Sequence, residues 1–176
     1  MNNIERELIK EFYLGKILQD EFIKRFPKNI DNDGIYIKQL LYSAYEEKNP
    51  EDIEYILGVA GVFDLIQDNY IEILCKLLAS DWHYMHEDIA RYLQRIKSEE
   101  SIEVLYKTVF TKFDYLEYDN SYSLARKCMW ALGDICTNQA IQKLKLVADL
   151  GDDELKKYAI EQFNREKIKL NDKLDI

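Results

Sequence analysis

The chain has 176 residues, of which 47% are hydrophobic and 32% charged, a composition typical of one soluble domain with a real core. Its formal net charge is −9, and residues 31–103 hold sixteen acidic against six basic side chains. An acidic body repels phosphate backbones, so the charge argues against nucleic acid and favours a basic partner. The alternative is that acidic surfaces only keep the protein soluble.

Membrane insertion and secretion are also disfavoured. No apolar run approaches the ~18 residues that span a bilayer, and the first residues, MNNIERELIKEF, lack the apolar region of a secretory signal. The three cysteines, Cys75, Cys128 and Cys136, form no C-x-x-C pair, so we interpret them as buried small hydrophobes in a reducing compartment. The predicted localisation is cytoplasmic.

The predicted elements are helical throughout. Apolar residues recur three and four apart, and only two prolines and six glycines interrupt them. Residues 4–26 form an amphipathic segment that ends at Pro27, and 28–35 form a polar turn. Its predicted apolar face comprises Ile4, Leu8, Phe12, Leu18 and Phe22. Asn49 followed by Pro50 and two acidic residues indicates a strong helix start. The pattern predicts about nine helices.

An internal repeat is the decisive feature of the second half. When residues 87–109 are placed over 126–148, a shift of 39, the polar breaks coincide and so do seven apolar pairs: Ile89 with Cys128, Ala90 with Met129, Leu93 with Leu132, Ile96 with Ile135, Ile102 with Ile141, Leu105 with Leu144, and Val109 with Ala148. A third copy lies at 59–78, and 156–163 begins a fourth. An insertion of eight residues falls within 111–123.

The repeat unit is two short helices of about 30 residues in total, too small to bury its apolar stripe without neighbours. The predicted fold is therefore all-α: a short α-solenoid of about nine helices in antiparallel pairs. We expect a single domain, with an N-terminal helical cap at 1–50, repeats at 51–165 and a C-terminal tail at 166–176.

The segment SLARKCMWALGDICTNQAIQKLKLVAD (123–149) resembles the HEAT-like repeat through Arg126, Ala131, Leu132, Gly133, Ile135, Ala140, Ile141 and Leu144. The copy at 87–109 departs from the pattern, with Glu87 in place of the arginine and Gln94 in place of the glycine. The resemblance covers about residues 55–165. It is similar in form to small bacterial HEAT-like proteins, some of which are immunity partners of secreted toxins. The resemblance implies a protein-binding role.

The stretch DWHYMHED (81–88) holds both histidines of the chain. On a helix, His83 and His86 would share one side with Glu87, a weak indication of a zinc site. However, the order differs from H-E-x-x-H, and we expect no cysteine or other histidine to complete a typical tetrahedral shell. The favoured interpretation is a helix start capped by Ser80 or Asp81, with Trp82 packed between repeats. A partner contact is the third interpretation.

The repeat alignment also predicts which side chains are exposed. Positions not used for packing are 87, 88, 91, 94 and 95 in one copy and 126, 127, 130, 133 and 134 in the next. The resemblance places this helix on a concave face, where Trp130 would be an anchor for a partner. The predicted surface is Asp88, Arg91, Arg95, Lys127, Trp130 and Asp134. The alternative is that the inserted loop folds back and buries Trp130.

The inserted loop is the second candidate, because insertions on a solenoid often carry function. Its predicted contacts to a basic surface are Tyr115, Glu117, Tyr118, Asp119 and Tyr122. Alternatively, Tyr115 or Tyr118 pins the loop to the core.

These observations predict a non-catalytic module, an acidic inhibitor or immunity-type partner of a basic protein. Phosphate-binding glycine loops, dinucleotide fingerprints and nucleophile elbows are absent from the sequence, so we expect neither a cofactor nor an active site. The alternatives are a ligand-binding or enzymatic HEAT-like protein of the lyase or chaperone type, which needs an apolar groove, and an adaptor with several partners.

Overall fold

A computed structural model describes residues 1–26, 34–117 and 121–174, with side chains up to residue 165. Within these ranges the structure is all-helical and has no strand, which confirms the predicted class. Three short 3-10 turns lie at 68–70, 99–101 and 114–116. The described α-helices are α1 (Asn3–Tyr13), α2 (Gln19–Arg25), α3 (Ile35–Glu46), α4 (Pro50–Val62), α5 (Ile71–Leu78), α6 (His86–Ile96), α7 (Ile102–Phe110), α8 (Ser123–Ile135), α9 (Asn138–Leu150) and α10 (Asp153–Leu174).

The chain divides into two compact units. Unit 1 comprises Met1–Ile73 and Trp82–Met85, and unit 2 comprises Leu74–Asp81 and His86–Ile176. Helix α10 continues to Leu174, through most of the segment predicted as a C-terminal tail. Within the described ranges, no helix has the length and apolar character needed to cross a bilayer.

In unit 1, α4 packs on α1 and α3, and α1 also packs on α2. The predicted helix start at Asn49 is confirmed, since its side chain accepts a hydrogen bond from the Asp52 amide at 3.2 Å and Pro50 follows it. The single amphipathic face predicted for residues 4–26 is wrong. The chain leaves the helix at Leu14, and Gly15 adopts φ +68°, so Ile4 and Leu18 are exposed while Leu8 and Phe22 are buried.

In unit 2, α8 is the central helix and packs against α6, α7, α9 and α10. The helices predicted for the two aligned copies are present, α6 and α7 in the first and α8 and α9 in the second. Their breaks agree in detail. Lys97 and Cys136, which the shift of 39 aligns, both adopt left-handed backbone at φ 60° and 54°. The next aligned residues, Ser98 and Thr137, both accept a hydrogen bond from a following backbone amide.

Candidate partner-binding surface

Trp130 lies in the middle of α8 and is 40% exposed. Its neighbours Cys128, Met129, Ala131 and Leu132 are fully buried, so α8 turns its packing sides toward the core and its remaining side, with Trp130, toward solvent. The exposure predicted from the repeat alignment is confirmed. The alternative was that the inserted loop folds back and buries Trp130. The described part of the loop does not do so.

Two polar links join α8 to α6 on either side of Trp130. Lys127, one turn before it, forms an ion pair with Glu87 and bonds Ser123 Oγ at 3.1 Å. Asp134, one turn after it, accepts a hydrogen bond from Gln94 Nε2 at 2.6 Å. Residues three and four apart share one side of a helix, so these links flank the tryptophan on its own face.

Two further links join α8 to α10. Arg165 donates to Asp134 Oδ1 at 2.8 Å, and the guanidinium of Arg126 lies 4.7 Å from the centroid of the Tyr158 ring. Asp134 thus accepts hydrogen bonds from side chains of both α6 and α10. We call the exposed side of α6 and α8 the Trp130 face, defined by Asp88, Arg91, Arg95, Lys127, Trp130 and Asp134.

The remaining predicted residues of this face lie on α6. Arg91 and Asp88 form an ion pair one turn apart, and Arg95 lies 5.7 Å from the centroid of the Tyr92 ring. The predicted exposure of position 133 is wrong, because Gly133 is buried in a helix that packs against four others.

Tyr115, in the described part of the inserted loop, attaches the loop to His86. Its hydroxyl lies 2.8 Å from His86 Nδ1, and the two rings stack with centroids 5.6 Å apart. Burial, with a smaller contribution from the charge of Glu87, raises the pKa of Tyr115 to about 12. This position matches the alternative interpretation, in which Tyr115 attaches the loop to the core.

Described residues of the inserted loop line part of a cavity of about 700 Å³ within unit 2. Glu117 is exposed at its edge, and Tyr122, in left-handed backbone at the start of α8, donates its hydroxyl to Asp152 Oδ2 at 2.8 Å. The predicted contacts Tyr118 and Asp119 lie outside the described residues.

The helix predicted to start at Ser80 or Asp81 begins instead at His86. Ser80 does not cap it, because it lies six residues before the helix, and its hydroxyl donates to the Lys76 carbonyl at 2.9 Å. His86 is buried and its Nε2 lies 2.6 Å from the Ser80 carbonyl oxygen, which only accepts hydrogen bonds. Nε2 therefore carries the proton, and Nδ1 accepts a hydrogen bond from Tyr115.

His83 is also buried, and within unit 1 its Nδ1 accepts a hydrogen bond from the Met85 amide at 3.1 Å. The ring of Trp82 stands edge-on to His83 and lies 5.9 Å from the Tyr45 ring. The two histidines do not share a helix face, because His83 precedes α6. Across the described side chains, no group of three or more histidine, cysteine or acidic residues is placed to hold a metal ion.

The acidic excess belongs to unit 1 rather than to unit 2. Unit 1 holds fifteen acidic and eight basic side chains, whereas unit 2 holds eighteen and sixteen. Glu46, Glu47 and Glu51 are exposed in unit 1, at the end of α3 and the start of α4.

Sequence reasoning found the Trp130 face but missed the cavity. The one available signal was the eight-residue insertion, since extra chain between two stacked helices must pass around their ends. Asp152 and Leu150, which line the cavity from α9 and the start of α10, carried no signal. No protein-family profile, curated protein or solved structure matches this chain.

Proposed function

We propose that this protein is a non-catalytic protein-binding module, an acidic inhibitor or immunity-type partner of a basic protein. The observation that carries the proposal is Trp130, a large aromatic side chain exposed on a helix face that four side-chain links brace. Tryptophan is enriched among the residues that dominate binding energy at protein interfaces.

The bracing matters because association costs free energy whenever it orders side chains. Lys127 and Asp134 are already held by their bonds to α6, so the surroundings of Trp130 are ordered before a partner arrives. A preorganised aromatic anchor gives more net affinity than a mobile one of equal area.

The acidic excess supports the choice of a basic partner. Charge acts at a distance and speeds the encounter of opposite charges, whereas the short-range contacts of an anchor slow dissociation. In this proposal the acidic side chains of unit 1 attract the partner, and Trp130 holds it.

For the finer architecture we propose a short α-solenoid of HEAT-like repeats, in which α6 and α8 are equivalent helices that line the binding face. The left-handed residues Lys97 and Cys136, and the capping residues Ser98 and Thr137, support this equivalence. The two residues of each pair are 39 positions apart, the same shift that aligns the apolar residues of the two copies. Capping geometry is independent of apolar spacing.

The test is affinity capture from the lysate of the protein's own host, with three baits compared by mass spectrometry. The baits are the wild type, Trp130→Ala, and Tyr84→Ala as a matched control that removes an exposed aromatic ring from unit 1. We expect one basic protein to be retained stoichiometrically by the wild type and the control, and released by raising the salt to about 0.5 M. The Trp130→Ala bait should retain at least roughly thirtyfold less at matched concentration, the effect of losing ~2 kcal/mol.

Two outcomes would contradict the proposal. Equal retention by the wild type and Trp130→Ala would place the binding surface elsewhere. A partner that is acidic, or that stays bound at high salt, would remove the role of the acidic charge.

A further inference from the structure

The cavity in unit 2 lies where several helix ends meet: α7 and α9 end beside it, and α8 and α10 begin beside it. Its volume is about 700 Å³. Cavities of ~300–1,000 Å³ are the usual size of small-molecule sites, and an apolar cavity of ~150 Å³ already holds benzene. The space therefore exceeds what a single protein side chain fills.

Part of the cavity lining is buried and apolar. Val109, Phe113, Leu124 and Leu155 line it as buried side chains. At its edge the apolar lining continues into solvent with Phe110, 38% exposed, and Leu150, 68% exposed. An apolar surface that extends outward from a concavity is a common feature of binding sites.

The polar part of the cavity is predominantly negative. Among its described lining residues, Asp114, Glu117 and Asp152 are acidic and Lys112 is the one basic residue. Asp152 is held in place, because it accepts hydrogen bonds from the Leu155 amide at 3.0 Å and from the Tyr122 hydroxyl at 2.8 Å. The Leu155 amide is the main cause that lowers the pKa of Asp152, so this carboxylate is ionised at neutral pH.

The wall of the cavity is preformed. Phe113 packs against the buried His86 ring, with centroids 3.9 Å apart. The same imidazole accepts a hydrogen bond from the Tyr115 hydroxyl. His86 is in turn bonded to the Ser80 carbonyl. The histidine singled out in the sequence thus supports the loop from behind rather than acting as a ligand.

We propose that this cavity is a binding site for a small organic cation that has an apolar body and a protonated amine. The apolar body would occupy the space between Phe113, Leu124 and Leu155, and the ammonium group would lie near Asp114, Glu117 and Asp152. This site goes beyond the proposed protein-binding function, since it uses none of the residues of the Trp130 face.

The test uses three probes that differ only in the head group: 4-phenylbutylamine, 4-phenylbutanol and 5-phenylpentanoate, titrated into the ¹⁵N-labelled full chain at about pH 7, where the amine is protonated. Shift changes should saturate and be centred on the amides of residues 108–117 and 150–155. The amine should bind at least about tenfold more tightly than the carboxylate, with the alcohol between them.

Two variants and a control locate the site. The double variant Asp114→Asn with Glu117→Gln should reduce the preference for the amine over the alcohol by about threefold or more, because two of the three carboxylates are removed while Asp152 and the apolar contact are kept. The pair Glu99→Gln with Glu100→Gln, exposed and outside the cavity, should leave both affinities unchanged. Thr111→Trp, at an exposed lining position, should block all three probes.

The proposal is overturned if the shifts do not saturate, if they spread over the surface, or if the three probes bind equally. It is also overturned if the peptide N-acetyl-Leu-Lys-amide saturates the same amides while the free amine does not, because the cavity would then be a docking site for a protein segment. None of these outcomes bears on retention by the Trp130 face, so the two proposals fail separately.

Discussion

Arg6 and Asp52 form a bidentate ion pair in unit 1, with both nitrogen–oxygen distances at 2.7 Å. The side chain of Asp52 is 1% exposed and that of Arg6 is 28% exposed. The pair therefore differs from the surface pair of Arg25 and Glu11, whose side chains are 46% and 39% exposed. Removing a partner from a buried pair leaves an uncompensated charge, whereas an exposed charge returns to water.

We expect Arg6→Met to lower the free energy of unfolding by about 3 kcal/mol, because Asp52 stays buried without its counterion. Arg25→Met, the matched control, should cost less than about 1 kcal/mol. Urea denaturation followed by circular dichroism measures both values. Equal costs for the two variants would show that burial of Asp52 does not determine the effect.

His86 is the residue whose charge state should matter most in unit 2. Burial lowers its pKa below the ordinary value of 6.5, while the Ser80 carbonyl and the charge of Asp81 oppose this shift. The unfolded chain therefore binds a proton at a pH where the folded chain does not. Linkage then requires stability to fall as the pH drops through 6.5 toward the folded pKa.

We predict that the free energy of unfolding of the wild type decreases between about pH 7 and pH 5.5, and that His86→Gln shows a smaller decrease. Glutamine keeps a donor for the Ser80 carbonyl but does not titrate. Tyr115→Phe is the control: it should lose about 1 kcal/mol at every pH and keep the slope. Parallel pH profiles for the wild type and His86→Gln would contradict the assignment to His86.

At the scale of elements, the two aligned helix ends share one backbone geometry. Lys97 and Cys136 end α6 and α8 in left-handed backbone, a conformation that strains residues with a Cβ and that glycine adopts freely. The sequence predicted both breaks from their polarity, but neither residue is a glycine, so the turn geometry carried no signal.

Replacing Cys136 by glycine should relieve this strain and raise the free energy of unfolding by about 0.5–1 kcal/mol. Lys97→Gly should act in the same direction if the two breaks are equivalent. Lys107→Gly, in the interior of α7, is the control and should destabilise by about 1 kcal/mol. A loss of stability in Cys136→Gly would mean that contacts of the side chain outweigh the backbone strain.

At the scale of the whole molecule, the acidic excess and the exposed Trp130 lie in different units. Unit 1 has an acidic excess, and the Trp130 face belongs to unit 2, whose acidic and basic side chains nearly balance. In the proposed function, long-range attraction and short-range binding therefore belong to different residues. The two contributions are separable by kinetics, since rim charges act mainly on association and buried anchors on dissociation.

For the captured partner, the triple variant Glu46→Gln, Glu47→Gln, Glu51→Gln should slow association by about threefold or more at low salt, with little effect on dissociation. Trp130→Ala should mainly speed dissociation. Surface plasmon resonance at two salt concentrations measures both rates. If the triple variant changes only dissociation, these carboxylates contact the partner directly and do not steer it.

The sequence alone determined the helical class, the helices of the two aligned copies in unit 2 and the exposure of Trp130, because apolar spacing reports which side of a helix packs. It also predicted the helix start at Asn49, where capping is a local property of adjacent residues. Only the tertiary structure decided what His86 does and that a cavity exists. Both depend on residues far apart in the chain, such as Tyr115 and Asp152, which backbone packing brings together and which no local pattern reports.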